Sequence, residues 1–286
     1  MFAAWRAAVA LHHVESRRTV IGAAVVGVVG PTFPTPRAAA AKPPSNRRLV
    51  WDFANGHVMF NVPFTVCDGT MSFDTMELLG SGGGGAVFVA SSSSSSKAPP
   101  SVVVKVSWMT SSESVQQECL ILQRLTSKGI SEHVEQCLEV QRYSFDPTRT
   151  VAILQPAFLD DQVSSIADIP NPIHQRRAVR ALVETSVRMI TQAQVVTTDV
   201  QVLISKQSGD LLWIDFTEAI AMQVPPTFAD LAVANGMLNE VSAMVPEKLK
   251  PFALECILGE RKKLDAEEQP SYISGLMDNF QDLNEQ

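Results

Sequence analysis

Apolar residues recur at every second position along Val58, Phe60, Val62, Phe64 and Val66, which predicts extended structure between Trp51 and Asp74. A hairpin is expected next, Met76 to Gly80 and Ala86 to Ala90, turning through a glycine run. Ser91 to Ser96 and Lys97-Ala98-Pro99-Pro100 form a low-complexity loop whose plain reading is a flexible connection. Ser101-Val102-Val103-Val104-Lys105-Val106 then reads as a buried strand with a single lysine in it. Ser112 to Lys128 is expected to be helical, with Val115, Leu120, Leu122 and Leu125 among its apolar positions. Strands at Val134 to Tyr143 and Thr150 to Gln155 are separated by a polar turn at Asp146-Pro147. Val179, Leu182, Val183, Val187 and Ile190 recur at helical spacing within Gln175 to Gln194, and further helices are expected near Phe228–Met244 and Leu249–Leu264.

The N-terminal stretch departs from this pattern. Ser16-Arg17-Arg18 precedes an apolar run, Val20 to Gly30, too short to span a bilayer. Three prolines and then Arg37-Ala38-Ala39-Ala40-Ala41 follow, small residues suited to cleavage. A charged start, a short apolar core and a small-residue exit describe a signal peptide over residues 1–41, and the arginine pair resembles the twin-arginine export signal. The thylakoid lumen of a chloroplast is the expected address. A bacterial periplasm, or a mitochondrial or plastid-stromal presequence, is the alternative, because Met1 to Arg18 bears arginines and little acid. No permanent membrane anchor is expected.

With 286 residues, 45% of them hydrophobic, the chain has enough apolar material for one full core behind such a leader. Arg6, Arg17, Arg18 and Arg37 against Glu15 give residues 1–41 a charge of +3, so the rest carries −10 of a total −7. An acidic body without a basic run argues against nucleic acid as a partner. Cys67, Cys119, Cys137 and Cys256 are widely spaced without a C-x-x-C, which allows a disulfide but suggests no metal site.

The candidate chemistry lies in the glycine run. Gly80, Gly82 and Gly85 stand at G-x-G-x-x-G spacing and Val87 follows. Such a loop lets main-chain N–H groups approach phosphates where a Cβ would collide. After it come Lys105 in a strand, Glu118 in a helix and, much later, Trp213-Ile214-Asp215-Phe216-Thr217. In that order these pieces resemble the protein kinase superfamily, over residues 78–218, about half the chain. The resemblance implies an α+β, two-lobed fold: residues 42–50 a linker, 51–156 a small antiparallel-sheet lobe, 157–286 a reduced, mainly helical lobe, with Gln155-Pro156 the hinge. It also implies ATP and Mg²⁺ as cofactors. Gly80, Gly82, Gly85, Val87 and Lys105 would hold the nucleotide, Glu118 would orient Lys105, and Asp215 would bind the metal. Thr217 stands where the family has glycine.

Thr197-Thr198-Asp199-Val200-Gln201 occupies the place of the catalytic loop. Asp199 corresponds to the aspartate that accepts the substrate hydroxyl's proton, Thr197 and Thr198 replace a His-Arg pair, and Gln201 is the nearest substitute for the metal-binding asparagine. Each residue also has a plainer reading: a snorkelling lysine, a surface glutamate with Glu113 as rival, a turn aspartate, a strand-ending aspartate. The functional expectation is an ATP- and Mg²⁺-dependent phosphotransferase with a protein or small-molecule acceptor. The alternatives are a pseudokinase acting as a binding or regulatory module, and an unrelated binding protein with an accidental glycine run.

Overall fold

The computed structural model describes residues 47–53, 56–61, 64–66, 71–81, 85–92, 101–107, 112–143, 150–155, 161–265 and 270–285. The leader, the middle of the glycine run (Gly82 included), residues 93–100 of the serine-rich loop, the Asp146-Pro147 turn and Pro156 lie outside the described residues. The strands of the first half are β1 (Arg47–Phe53), β2 (Gly56–Asn61), β3 (Phe64–Val66), β4 (Met71–Phe73), β5 (Thr75–Ser81), β6 (Gly85–Ser91) and β7 (Ser101–Ser107). Helix α1 (Ser112–Ser127) precedes β8 (Cys137–Arg142) and β9 (Thr150–Leu154). Next come β10 (Gln162–Val163), α2 (Pro172–Arg188), β11 (Val195–Thr197), β12 (Gln201–Ser205), β13 (Leu211–Ile214) and β14 (Ala219–Ala221). Helices α3 (Phe228–Met244), α4 (Lys250–Asp265) and α5 (Ser271–Glu285) complete the described chain. The class is mixed α and β with antiparallel sheets, in agreement with the α+β expectation. Among the described residues no helix is long and apolar enough to cross a membrane.

The main sheet has five antiparallel strands in the order β5-β6-β7-β9-β8. Strand period 2 decides what each face carries. Val102, Val104 and Val106 of β7 and Ala86, Phe88 and Ala90 of β6 are buried on one face. That face packs with Phe60, Phe64, Phe73 and Tyr143, and the Phe60 ring meets Phe64, Phe88 and Tyr143 edge-to-face at 5.2, 6.0 and 5.8 Å. Lys105, one residue out of phase with those valines, therefore faces the other side, where α1 packs. The extended structure expected between Trp51 and Asp74 takes the form of two separate two-stranded ribbons, β1–β2 and β3–β4, and β1 begins earlier, at Arg47, inside the stretch read as a linker. Gly85 is fixed by the sheet itself: a Cβ there would stand 2.1 Å from the carbonyl oxygen of Val106.

Helix α1 buries Val115, Glu118, Cys119, Ile121, Leu122 and Leu125, whereas Leu120 is exposed and is not a core position. Its C-terminal part is tied to the second half of the chain, since Arg124 Nε donates to the Ala193 carbonyl at 2.6 Å. A disulfide joins Cys119 to Cys137, across 18 residues, and pins α1 to β8. Closing a loop of that size restricts the unfolded chain, so Cys137→Ala should lower the unfolding free energy by about 3 kcal/mol. Denaturant titrations of wild type and variant, each without reductant, check this; coincident midpoints would show that the pair adds nothing.

The second half is a helical core. Asn171 caps α2 through the Ile173 N–H at 2.9 Å, with Pro172 in the first helical position, and Thr227 with Asp230 forms a reciprocal cap on α3. The expected helix to Gln194 ends earlier as an α-helix, at Arg188, and continues as a wider π turn over Met189–Ala193. Helices α3 and α4 lie where helices are expected, near Phe228–Met244 and Leu249–Leu264. Helix α5, which the sequence reading leaves unassigned, buries Ile273, Leu276, Met277 and Phe280, the i, i+3, i+4, i+7 spacing of an amphipathic helix.

Candidate functional site

Three distant pieces of chain meet at Lys105. Strand β7 supplies the lysine, α1 supplies Glu118 from within its apolar face, and the turn after β13 supplies Asp215. Lys105 Nζ lies 2.9 Å from both carboxylate oxygens of Glu118, 2.6 Å from Asp215 Oδ1 and 2.7 Å from Thr217 Oγ1. The side chain of Glu118 is fully buried and that of Lys105 14% exposed, while Asp215 is open to solvent over 37% of its side chain. Glu113, the rival for Glu118, is exposed.

Asp215 has left-handed backbone dihedrals, φ 56° and ψ 71°, a strained conformation for a residue with a Cβ. The main chain of this turn is gripped by two acids. Asp215 N–H donates to Glu135 Oε1 at 2.7 Å, and Phe216 N–H donates to Glu118 Oε1 at 2.9 Å. Thr217 Oγ1 adds a hydrogen bond to Asp215 Oδ1 at 2.5 Å. Glu135 and Thr217 are therefore members of the cluster that the sequence reading did not assign. Thr217 is visible as a departure from the family's glycine; Glu135, between Val134 and Gln136 in a polar stretch, carries no such signal.

The charges are strongly coupled. Burial opposes the ammonium of Lys105, but the charges of Glu118, Asp215 and Glu135 outweigh it and hold the lysine charged well above its ordinary value. Burial raises Glu118 against the pull of Lys105. Burial also disfavours the Asp215 carboxylate, yet Lys105 and Thr217 prevail and keep it below its usual range. Glu135 is pushed up to about 8, by burial first and then by Glu118.

A raised carboxyl keeps its proton in the folded chain after the unfolded chain has released it. The stability that this proton brings is thus complete below the ordinary value of 4.5 and is lost as pH rises toward 8. Glu135→Gln should flatten the fall in unfolding free energy between pH 5 and 8. Chemical unfolding at several pH values measures it, and parallel profiles for wild type and variant would contradict the assignment.

The loop with Asp199 is built beside the cluster. Gln201 of β12 pairs with Ile214 of β13, so the residues just before β12 adjoin the strand end that carries Asp215. Thr197 Oγ1 accepts from Asp199 N–H at 3.2 Å, and Val200 N–H donates to Glu240 Oε2 of α3 at 3.0 Å. Gln201 Nε2 donates to Asp199 Oδ2 at 2.6 Å, which leaves its carbonyl oxygen as the atom with ligand capacity. The described hydrogen bonds join Gln201 to Asp199, not to Asp215. Gly80 pairs with Val87 across the β5–β6 hairpin, next to an irregularity in its register.

Among the described residues no group of three or more His, Cys, Asp or Glu side chains forms a complete cation cage. A hard cation that keeps waters and phosphate oxygens as most of its ligands needs only one or two carboxylates. Asp215 fits that need: Oδ1 is engaged by Lys105 and Thr217, and the side chain is still open to solvent over 37% of its surface. No protein-family model matches the chain, and no curated protein matches its sequence.

Proposed function

We propose that this chain has a two-lobed, protein-kinase-like fold and acts as an ATP- and Mg²⁺-dependent phosphotransferase. The observation that carries the reading is Lys105 Nζ in contact with Glu118 and Asp215, residues 13 and 110 positions away. An antiparallel sheet ordered β5-β6-β7-β9-β8, with α1 inserted after its lysine strand, supports it. So does the energetics: a buried, unbalanced charge cluster is a poor source of stability, and groups of this kind concentrate at functional sites.

In this reading Lys105 neutralises phosphate oxygens and Glu118 holds it in place. The Gly80 and Gly85 main chain borders the nucleotide, and Val87 packs near it. Asp215, with the Gln201 carbonyl oxygen as a second donor, holds Mg²⁺, which when bound offsets phosphate charge. Asp199 orients the acceptor hydroxyl and takes its proton as the new P–O bond forms and the bond to the leaving diphosphate breaks. Catalysis of this type is mostly positioning and charge neutralisation, so few side chains suffice.

One observation favours the second reading, a non-catalytic pseudokinase. All three N–H groups of Lys105 have partners within the chain: Glu118, Asp215 and Thr217. A phosphate must displace at least one of them. The deciding experiment is a thermal-shift titration. A ligand that binds only the folded chain stabilises it by about 2.7 kcal/mol at one hundred times its Kd, so millimolar Mg-ATP should raise the Tm of a nucleotide-binding protein by several degrees. An unchanged Tm at millimolar nucleotide would remove the enzyme and leave the binding module.

A further inference from the structure

Glu135 enters the site from a segment with no counterpart among the elements that carry the kinase resemblance. Residues 133–135 run parallel to the end of β13, with Val134 bridged to Trp213. Trp213 N–H donates to the His133 carbonyl at 2.8 Å, and Glu135 N–H donates to the Trp213 carbonyl at 2.9 Å. In a parallel ladder the next rung would take Asp215 N–H onto the main-chain carbonyl of Glu135. The rung that forms is different: Asp215 N–H goes to the side-chain oxygen Oε1 of the same residue. The chain at Asp215 thereby keeps a partner for its buried donor while it leaves the strand direction with φ 56°. The following N–H, that of Phe216, is received by Glu118.

We propose that Glu135 is a positioning residue: its Oε1 replaces a ladder rung, permits the left-handed turn at Asp215, and so aims the Asp215 carboxylate at Lys105 and the metal. This rests on the phosphotransferase reading for its consequence, though not for its geometry. The competing role is that of a third counter-ion for Lys105. The hydrogen bond of Glu135 goes to a main-chain N–H rather than to Nζ, which separates the two. A counter-ion needs its charge, whereas a positioning acceptor needs only its oxygen.

The test uses two variants of the full chain. Glu135→Gln keeps an acceptor oxygen and removes the charge; Glu135→Leu keeps the bulk and removes the acceptor. ATP affinity is measured with Mg²⁺ and with a chelator, and hydrogen exchange is followed at the Asp215 amide. Glu135→Gln should stay within about threefold of wild type in both readouts. Glu135→Leu should lose about tenfold or more of the Mg²⁺-dependent affinity, with metal-free affinity within about twofold, as for residues that orient a metal ligand. Its Asp215 amide should also exchange at least about tenfold faster. A Gln variant that falls as far as Leu, or a Leu variant that behaves as wild type, overturns the proposal. If Glu135→Leu does not fold, the Gln variant alone decides: retention supports positioning and loss overturns it. If wild type binds no nucleotide, phosphotransfer fails. The Asp215 amide then decides the role of Glu135: protection kept in Gln and lost in Leu sustains it, equal exchange in both overturns it.

Discussion

Lys105→Met should destabilise the protein by on the order of 3–5 kcal/mol near neutral pH, because it strands a buried carboxylate whose partner has been removed. The loss is assigned mainly to Glu118, which has no solvent exposure; water can screen Asp215, whose side chain is 37% exposed. Glu118 is already raised by burial, and losing Lys105 raises it further. Its protonated form carries little penalty, so the variant should approach wild-type stability as pH falls toward 5 and diverge as pH rises. Urea unfolding at pH 5 and pH 8 reads both limbs. The double variant Lys105→Met with Glu118→Gln should recover much of the loss, since the amide has no charge to strand and still offers an oxygen to the buried Phe216 N–H. A Lys105→Met chain as stable as wild type at pH 8 would mean that the cluster is not buried in solution.

Asp199→Asn and Asp215→Asn should separate chemistry from binding. Asp199 is tied to Thr197 and Gln201 and has no described bond to Lys105, so its substitution should leave Mg-ATP affinity within about twofold and lower phosphoryl transfer by about 10²–10⁴. Asp215→Asn removes the carboxylate nearest Lys105 and should abolish the Mg²⁺ dependence of nucleotide binding as well. Binding by calorimetry and ATP turnover with a panel of acceptor alcohols and peptides distinguish the two. Equal turnover in wild type and Asp199→Asn would retire the base assignment and favour the pseudokinase reading.

The elements of the site were largely legible from local pattern. The run Ser101–Val106 marks a buried strand with a single lysine, and the structure turns Lys105, with Val103, away from the Phe88 side. Helical spacing places Glu118 on the face of Val115, Leu122 and Leu125, while Leu120, apolar as well, is 54% exposed. The helix expected near Phe228–Met244 is present over those residues, and the structure shows its start held by a local reciprocal cap, Thr227 with Asp230. Helix α5 was missed, and nothing beyond its own spacing announces it.

Strand and helix periods, the glycine run and the order of charged residues along the chain are local properties, readable from the amino acids alone. Those depend on neighbours within a few positions, where side-chain type limits backbone choice. Long-range packing sets which acids meet Lys105, pairs Cys119 with Cys137, and brings Glu135 and Thr217 into the cluster. Glu135 illustrates the reason. Its role depends on a parallel bridge to a strand about 80 residues away and on a left-handed turn at Asp215. A buried acid and a surface acid are the same letter, and only packing decides which one loses its water.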